Sequence, residues 1–353
     1  MKFENSSTAP PPNTIPSTDT PAMGTDFNPA SKRNLMRLDA KSAYKNIHTS
    51  ETRTWSVPGE DPRSEIVNAK HGGARIYGDL TSELRCEPKF RVDPKMNVFT
   101  IGSCFARNVE VALMNRKFAV ATRINGFRYP HGYLNRYNTY SMLQELSFGI
   151  GAMEFPTASI VELPRGFADL TSYGSFASRE EVIEYRRDTN QLFSKVLEAD
   201  LIIVTAGLAE VWFDKQYQHY LNVAPSQASL AEPDRFEFRL LDYKENTDAL
   251  HRLVALIHEL VPNGKILITV SPVPLNATFV NRDILISNTY SKACLRAAVE
   301  EIYWSYGFVD YFPSYEMVVL SDPNIVWEAD RRHVKESFVD RIMQSFMETY
   351  VEK

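Results

Sequence analysis

The sequence has few cysteines and no long hydrophobic run, and both absences narrow the class of protein. Its three cysteines, Cys86, Cys104 and Cys294, lie far apart without CxxC spacing, which indicates a reducing compartment more than a disulfide framework. No stretch approaches the roughly 20 apolar residues of a membrane span, and the first residues contain no apolar signal segment. We therefore expect a cytoplasmic protein with no membrane span.

The chain also lacks an excess of positive charge and the common cofactor motifs. Its formal net charge is −5 and its pI is near 5.9, so the composition carries no electrostatic signature of nucleic-acid binding. The sequence contains no P-loop, no GxGxxG, no zinc-ligand spacing and no calcium loop. It therefore predicts no nucleic-acid partner, no cofactor and no metal, and it gives no indication of the oligomeric state.

The sequence does contain a polar leader and a long region with the composition of a globular domain. Residues 1–30 are rich in Pro, Ser, Thr and Asn, which predicts a disordered arm. Residues 31–88 are mixed and polar with isolated aromatics, and we expect an extended leader that packs on the domain or is only tethered to it. Residues 89–353 are expected to form one α/β domain, since 44% hydrophobic residues are ample for a core.

Patterns of buried strands alternate with patterns of amphipathic helices along this domain. The order predicts a mostly parallel, doubly wound sheet with helices on both faces. Residues 149–178 have the composition of an irregular insertion, and residues 214–242 alternate as in a small edge hairpin. Ser287 or Asn288 is expected to cap the helix after the fourth strand. The predicted strands cover residues 97–101, 118–124, 201–207, 265–271 and 308–312.

The stretch from Asn97 to Asn108 has the pattern of a buried strand that changes into a helix at Ser103. Gly102 permits the tight backbone that this turn requires. Ser103 would lie at the carboxyl end of a strand and at the positive end of a helix, where open α/β sheets bind ligands. Cys104, the second residue of the turn, is expected to point into the core instead.

A serine nucleophile needs a base that a third group orients, and His333 is the best candidate among the seven histidines. It follows the last predicted strand and lies three residues after Asp330, whose carboxylate can orient the imidazole from the same turn. His251 and His258 fall on a predicted surface helix. Asp-x-x-His is a weak motif alone, and its position after the last strand gives it weight.

The string Gly102-Ser103-Cys104-Phe105-Ala106 resembles the signature of the GSCFA family, a branch of the SGNH (GDSL-type) hydrolase-like superfamily. The resemblance covers about residues 90 to 350, with further matches at 205–212, 269–274, 287–293, 311–316 and 330–333. It implies a flavodoxin-like three-layer α/β/α fold with Ser103 as nucleophile, His333 as general base and Asp330 as its orienting group. It also implies acyl-ester chemistry, often on carbohydrate-linked acyl groups.

The oxyanion donors match the superfamily pattern only in part. The backbone N–H of Ser103 is the first expected donor, and Gly132 is the candidate for the second. Ala209 stands where the superfamily has an asparagine, so one side-chain donor is missing from its usual place. Asn138 either replaces that donor or merely caps a helix, and the sequence favours neither role.

Glu210 and Trp212 are further candidates for the site. Glu210 is either an active-site carboxylate or a partly buried acid paired with an arginine such as Arg123, and we prefer the structural role. Ser271 has no base near it in the sequence and is interpreted as a turn residue. Trp212 would suit stacking against a sugar ring or an ordinary core edge, and the same holds for Tyr129, Tyr133 and Tyr137.

The leading hypothesis is a serine-dependent acyl-transfer enzyme that forms an acyl-Ser103 intermediate. It would be an O-acyl esterase or acyltransferase acting on a small-molecule or glycan acyl ester. The alternative is a catalytically weak glycan-binding or scaffold protein that keeps the SGNH fold. Ala209 favours the alternative, whereas the set of Ser103, Asp330 and His333 favours the enzyme.

Overall fold

The computed structural model describes residues 37–49, 52, 54–55, 71–76, 78–81, 84, 86–123, 126–226, 232 and 234–352. The predicted arm over residues 1–30 lies outside them. The strands are β1 (Asn97–Gly102), β2 (Ala119–Val120), β3 (Val161–Leu163), β4 (Gly166–Ala168), β5 (Leu201–Ala206), β6 (Glu210–Asp214), β7 (His219–Leu221), β8 (Phe236–Leu240), β9 (Lys265–Val270) and β10 (Val309–Tyr311).

Helices connect and cover these strands, and the longest lie in the second half of the chain. None of the described helices is both long and apolar enough to cross a bilayer. The helices are α1 (Ala40–Thr49), α2 (Gly72–Arg75), α3 (Cys104–Asn115), α4 (Thr139–Gly149), α5 (Arg179–Phe193), α6 (Tyr243–Leu260), α7 (Ile284–Ser305), α8 (Ser314–Val319), α9 (Pro323–Val326) and α10 (Glu336–Tyr350).

A five-stranded parallel sheet in the order β10-β9-β5-β1-β2 forms the centre of the fold. The chain adds β2 on one side of β1, and then β5, β9 and β10 on the other, which is a doubly wound order. Gly102 pairs with Thr205, and Thr205 pairs with Thr269. The carboxyl ends of β1, β5 and β9 therefore lie side by side, and the predicted parallel sheet is confirmed.

Helices cover both faces of this sheet, because successive side chains of each strand point to opposite faces. Phe99 and Ile101 of β1 belong to the core that includes α4, α6 and α7. Val98 of β1 belongs to the core that includes α3 and α10. Each fully buried side chain of this kind stabilises the fold by about 1.5–3 kcal/mol. The result is a three-layer α/β/α arrangement.

Two boundaries differ from those predicted from the sequence. Strand β2 has only two residues because Thr122 and Arg123 turn away from the sheet and hydrogen-bond to the buried carboxylate of Glu110, at 2.6 and 2.7 Å. Helix α7 begins at Ile284, one turn earlier than predicted. Asp283 caps it by accepting the backbone N–H of Leu285 at 2.7 Å, so Ser287 and Asn288 are not its caps.

The two segments outside the predicted sheet also contain regular structure. Strands β3 and β4 pair in an antiparallel hairpin within the predicted irregular insertion. Strands β7, β6 and β8 form a second, three-stranded antiparallel sheet, which is larger than the predicted hairpin because it begins at Glu210. This second sheet leaves the end of β5 and therefore borders the predicted site.

A short segment before the sheet contacts the helices that follow β10. Leu80 is buried, and its backbone N–H donates to Ser321 Oγ at 3.0 Å. The backbone N–H of Asp322 donates to the carbonyl of Gly78 at 2.8 Å. Residues 78–81 thus pack against the region between α8 and α9.

Candidate active site

The predicted nucleophile lies at the junction of β1 and α3. Ser103 caps the helix by accepting the backbone N–H of Phe105 at 3.3 Å, and it is 4% exposed. Gly102 has φ +154°, and a Cβ atom at this position would lie 2.6 Å from Cβ of Thr205. Only glycine therefore allows β1 and β5 to approach this closely just before the nucleophile.

The side chain of Ser103 contacts a serine from a different strand end. Its Oγ donates to Oγ of Ser271 at 3.0 Å. Ser271 directly follows β9, and its backbone N–H donates to the carbonyl of Ala206 at the end of β5 at 2.7 Å. The two hydroxyl groups therefore bridge the ends of β1 and β9 across β5, so Ser271 contacts the nucleophile in addition to its expected place in a turn.

Asp330 and His333 form the pair that the sequence suggested. Oδ2 of Asp330 lies 2.5 Å from Nδ1 of His333, and Oδ1 accepts the backbone N–H groups of His333 at 3.0 Å and Arg332 at 2.9 Å. These backbone bonds, together with the imidazole, hold the pKa of Asp330 well below its usual range. A proton on Nδ1 facing Asp330 leaves Nε2 as the basic nitrogen of His333.

Nε2 of His333 faces Arg332, and the histidine does not reach the nucleophile. Nη1 of Arg332 lies 3.2 Å from Nε2. Between the described residues Ser103 and His333 there is no hydrogen bond, since the Ser103 hydroxyl is directed to Ser271. Contacts between nucleophile and base are often long or misaligned without substrate and shorten only in the reactive complex. The structure thus brings Asp330 and His333 together and leaves Ser103 outside this pair.

The two further candidates for oxyanion donors have different surroundings. Gly132 is exposed in the 3₁₀ helix His131–Leu134. The loop after it reaches the end of β1, where the backbone N–H of Arg136 donates to the carbonyl of Gly102 at 2.8 Å. Asn138 caps α4: its Oδ1 accepts from the Ser141 N–H at 2.8 Å, and its Nδ2 donates to a backbone carbonyl at 3.1 Å. Both polar atoms of the Asn138 side-chain amide are therefore bonded to backbone groups.

Ala209 and Glu210 both hold neighbouring segments in place. Ala209 is fully buried, and its backbone N–H donates to Ser291 Oγ at 2.8 Å. The Glu210 carboxylate accepts from Thr278 Oγ1 at 2.5 Å and from the backbone N–H of Phe279 at 2.9 Å. The expected pairing of Glu210 with Arg123 is wrong, because that arginine bonds to Glu110.

A cavity of about 480 Å³ joins Glu210 and Trp212 to the loop that carries His333. This volume lies in the roughly 300–1,000 Å³ range of small-molecule sites. The Trp212 ring packs edge-on against Phe279, and its Nε1 is buried without a hydrogen-bond partner. Among the residues that the structure describes, no group of three His, Cys, Asp or Glu side chains is arranged to hold a metal. The residues that line the cavity include Tyr137, Tyr173, Leu208, Glu210, Trp212, Asn222, Phe279 and Arg332.

The comparison with known families decides how this architecture is classified. A model of the GSCFA family matches residues 97–346, which is more than half of the chain. The chain belongs to the GSCFA family. The matched region begins at β1 and ends within α10, so it includes the whole parallel sheet, Ser103 and the Asp330–His333 pair. A comparison with curated proteins found no match.

Lys292 is a further polar residue of the GSCFA region, and it was not among the candidates predicted from the sequence. Lys292 of α7 is 2% exposed, and its Nζ donates to the carbonyl of Gly207 at 2.6 Å. Burial lowers the pKa of this amine to about 7, with Arg332 acting in the same direction and Cys104 opposing it. Lys292 lies one turn before the buried Leu295. Helical spacing alone would thus have placed this lysine on the buried face.

Proposed function

We propose that this GSCFA protein is a serine-dependent acyl-transfer enzyme of the SGNH type, with Ser103 as its nucleophile. The observation that carries the proposal is the Asp330–His333 pair, whose basic imidazole nitrogen contacts Arg332, a lining residue of the cavity at the carboxyl edge of the sheet. Arg332, next to His333, lines this cavity together with Leu208, which follows β5. Ser103 directly follows the neighbouring strand β1. These placements support a triad on one edge of a flavodoxin-like fold.

The reaction begins when Oγ of Ser103 attacks the carbonyl carbon of an ester. The hydroxyl proton passes to Nε2 of His333, the carbonyl oxygen becomes an oxyanion, and Asp330 stabilises the imidazolium. The imidazolium then protonates the leaving alkoxide oxygen as the C–O bond breaks, which leaves an acyl-Ser103 ester. Water or an acceptor hydroxyl attacks this ester, with His333 again as the base, and releases Ser103. For the first step, Ser103 must leave Ser271, and His333 must lose its contact with Arg332.

We further propose that the substrate is an acyl ester of a carbohydrate or glycoconjugate. The cavity offers aromatic faces to a ligand from Trp212, Phe279 and Tyr137, and aromatic side chains commonly stack on the apolar faces of ligands. Cys86, Cys104 and Cys294 are free thiols, which supports a reducing, cytoplasmic location.

Hydrolysis of aryl and sugar acetates tests the proposed activity. Wild-type protein is expected to cleave them, and Ser103→Ala and His333→Ala are each expected to lower kcat/KM by about 10³-fold or more. Ser337→Ala and His258→Ala are matched controls, because both side chains are exposed and lie outside the site. Wild-type protein that cleaves no ester, or a Ser103→Ala variant of full activity, would refute the proposal.

The second candidate function is a glycan-binding or scaffold protein without catalytic activity. The observation that favours it is Ala209, which supplies no side-chain donor and whose backbone N–H is already bonded to Ser291. In that case the wild type and Ser103→Ala would bind sugars with equal affinity, and neither would cleave any of the esters.

A further inference from the structure

Two cations at this edge of the sheet have no acidic partner among the residues that the structure describes. Arg332 lines the cavity, its Nη1 contacts the imidazole of His333, and its Nε is buried without a hydrogen-bond partner. No carboxylate in the described part of the chain forms an ion pair with it. An arginine fork placed in this way offers unused donors to a ligand.

Lys292 is the second cation, and it is far more buried. The carbonyl of Gly207 is the acceptor for its Nζ, and within the described residues no Asp or Glu approaches it as an ion-pair partner. Arg332 and Cys104 are the charged and titratable groups that it senses, one from the loop before α10 and one from the start of α3. A buried ammonium without a counter-ion is costly, so an anion close to it would be stabilised.

The acidic residue of the cavity, Glu210, forms no ion pair with either cation in the described part of the chain. Both oxygens of Glu210 already accept hydrogen bonds, from Thr278 and from the backbone of Phe279. The unsatisfied polar atoms among the lining residues are donors, namely Nε of Arg332 and Nε1 of Trp212. The cavity therefore combines aromatic surface with unused hydrogen-bond donors and the positive charge of Arg332, and Lys292 lies behind its wall, bonded to Gly207 next to the lining residue Leu208.

We propose that the cavity binds an anionic sugar unit of the substrate, whose carboxylate or phosphate group is held by Arg332, while Lys292 adds positive charge from behind the cavity wall at Gly207 and Leu208. The inference rests on the proposed acyl transfer for the statement that this unit belongs to the ester substrate. The binding itself is independent of catalysis. An anion that draws Arg332 toward the cavity also removes Nη1 from Nε2 of His333, so binding of the acidic unit frees the base.

The test is a calorimetric titration of the full-length protein with glucose, glucuronate and glucose 6-phosphate. Wild-type protein is expected to bind at least one acidic sugar about ten-fold or more tightly than glucose. The two acids distinguish a carboxylate from a phosphate as the preferred group. In Arg332→Gln the affinity for the acidic sugar should fall to that for glucose. Arg128→Gln is the matched control, because Arg128 is an exposed arginine already paired with Asp188.

The pH dependence of the same titration reports on Lys292. Protonated Lys292 attracts the anion and neutral Lys292 does not, so the affinity for the acidic sugar should fall as pH rises through about 7. Lys292→Met should remove this fall, whereas His333→Asn should keep it if the lysine is responsible. Thermal unfolding of each variant shows whether it is folded. A loss of affinity in a folded variant is then due to the substituted side chain.

Equal affinity for glucose and both acids, no detectable binding of either acid at millimolar concentration, or an unchanged preference in Arg332→Gln would overturn the inference. Repeating the titration with Ser103→Ala tests the anion-binding site separately from the proposed acyl transfer. Binding of the acidic sugar without ester cleavage would refute the acyl transfer alone. Ester cleavage without a preference for acidic sugars would refute the anion site alone.

Discussion

At the scale of single residues, unpaired positive charge sets the chemical character of the site. Among the described residues, Lys292 is bonded to the carbonyl of Gly207, and Arg332 contacts the imidazole of His333. Neither interaction compensates a charge as a carboxylate would. The same two cations that would attract an acidic substrate therefore destabilise the protein without that substrate, a trade-off that is common at functional sites.

Replacing Lys292 with Met is expected to flatten the dependence of stability on pH. Folding lowers the pKa of Lys292 from 10.5 to about 7, so between these values the unfolded chain holds a proton that the folded chain has lost. The free energy of unfolding of the wild type therefore rises with pH across this window, by about 2–4 kcal/mol between pH 7 and 10. The variant should lack this rise.

Urea unfolding at several pH values between about 6 and 10 measures the effect. Lys244→Met serves as control, since Lys244 is exposed and pairs with Asp248, and it should keep the slope of the wild type. Parallel curves for wild type and Lys292→Met would show that the buried lysine does not titrate in this range.

At the scale of secondary-structure elements, α7 holds the loop that follows β5. Ser291 accepts the backbone N–H of Ala209. Lys292 donates to the carbonyl of Gly207, which lies two residues earlier in the loop. Consecutive residues of one helix thus fix both ends of a three-residue segment after β5. The loop is positioned by α7 and supplies no donor through its own side chains.

The role of Asn138 can be decided at the same scale, because capping and catalysis respond differently to substitution. Asn138→Ala should lower the free energy of unfolding by about 0.5–2 kcal/mol, since the first turn of α4 loses its cap. The kcat/KM of the folded protein should not change. Asn138→Asp keeps the accepting oxygen and should restore most of the stability. A large fall in kcat/KM in both variants would instead assign Asn138 to the oxyanion hole.

The approach of β1 and β5 gives a third test. Gly102→Ala should destabilise the protein by about 1–3 kcal/mol or more, because its Cβ would meet Thr205 and the residue has φ +154°. Gly307→Ala is the control, since a Cβ at Gly307 meets no atom within 4 Å. Urea denaturation compares the two. Equal stability of the two variants would mean that the strands separate easily at the nucleophile.

At the scale of the whole molecule, the sequence predicted those features that depend on local patterns. Continuous apolar runs such as residues 201–207 become strands of the parallel sheet, and Ser103 lies at a strand end because Gly102 ends the run. The Asp330–His333 contact was also predictable, because its partners are three residues apart in one turn.

Features that depend on distant partners were not predictable. The contact between Ser103 and Ser271 joins residues 168 positions apart, and it follows from the order of β1, β5 and β9 in the sheet. The early end of β2 depends on the buried carboxylate of Glu110, which attracts Thr122 and Arg123. Pattern analysis assigns each residue by its neighbours in the chain, so it could not identify these partners.

The role of Ser103 as nucleophile is tested by mass spectrometry of the protein after reaction with a fluorophosphonate, because the adduct identifies the nucleophile. We predict a single phosphonylated residue, Ser103, with the adduct absent from Ser103→Ala and strongly reduced in His333→Ala. Phosphonylation of a different residue, or an unreacted wild-type protein, would contradict it.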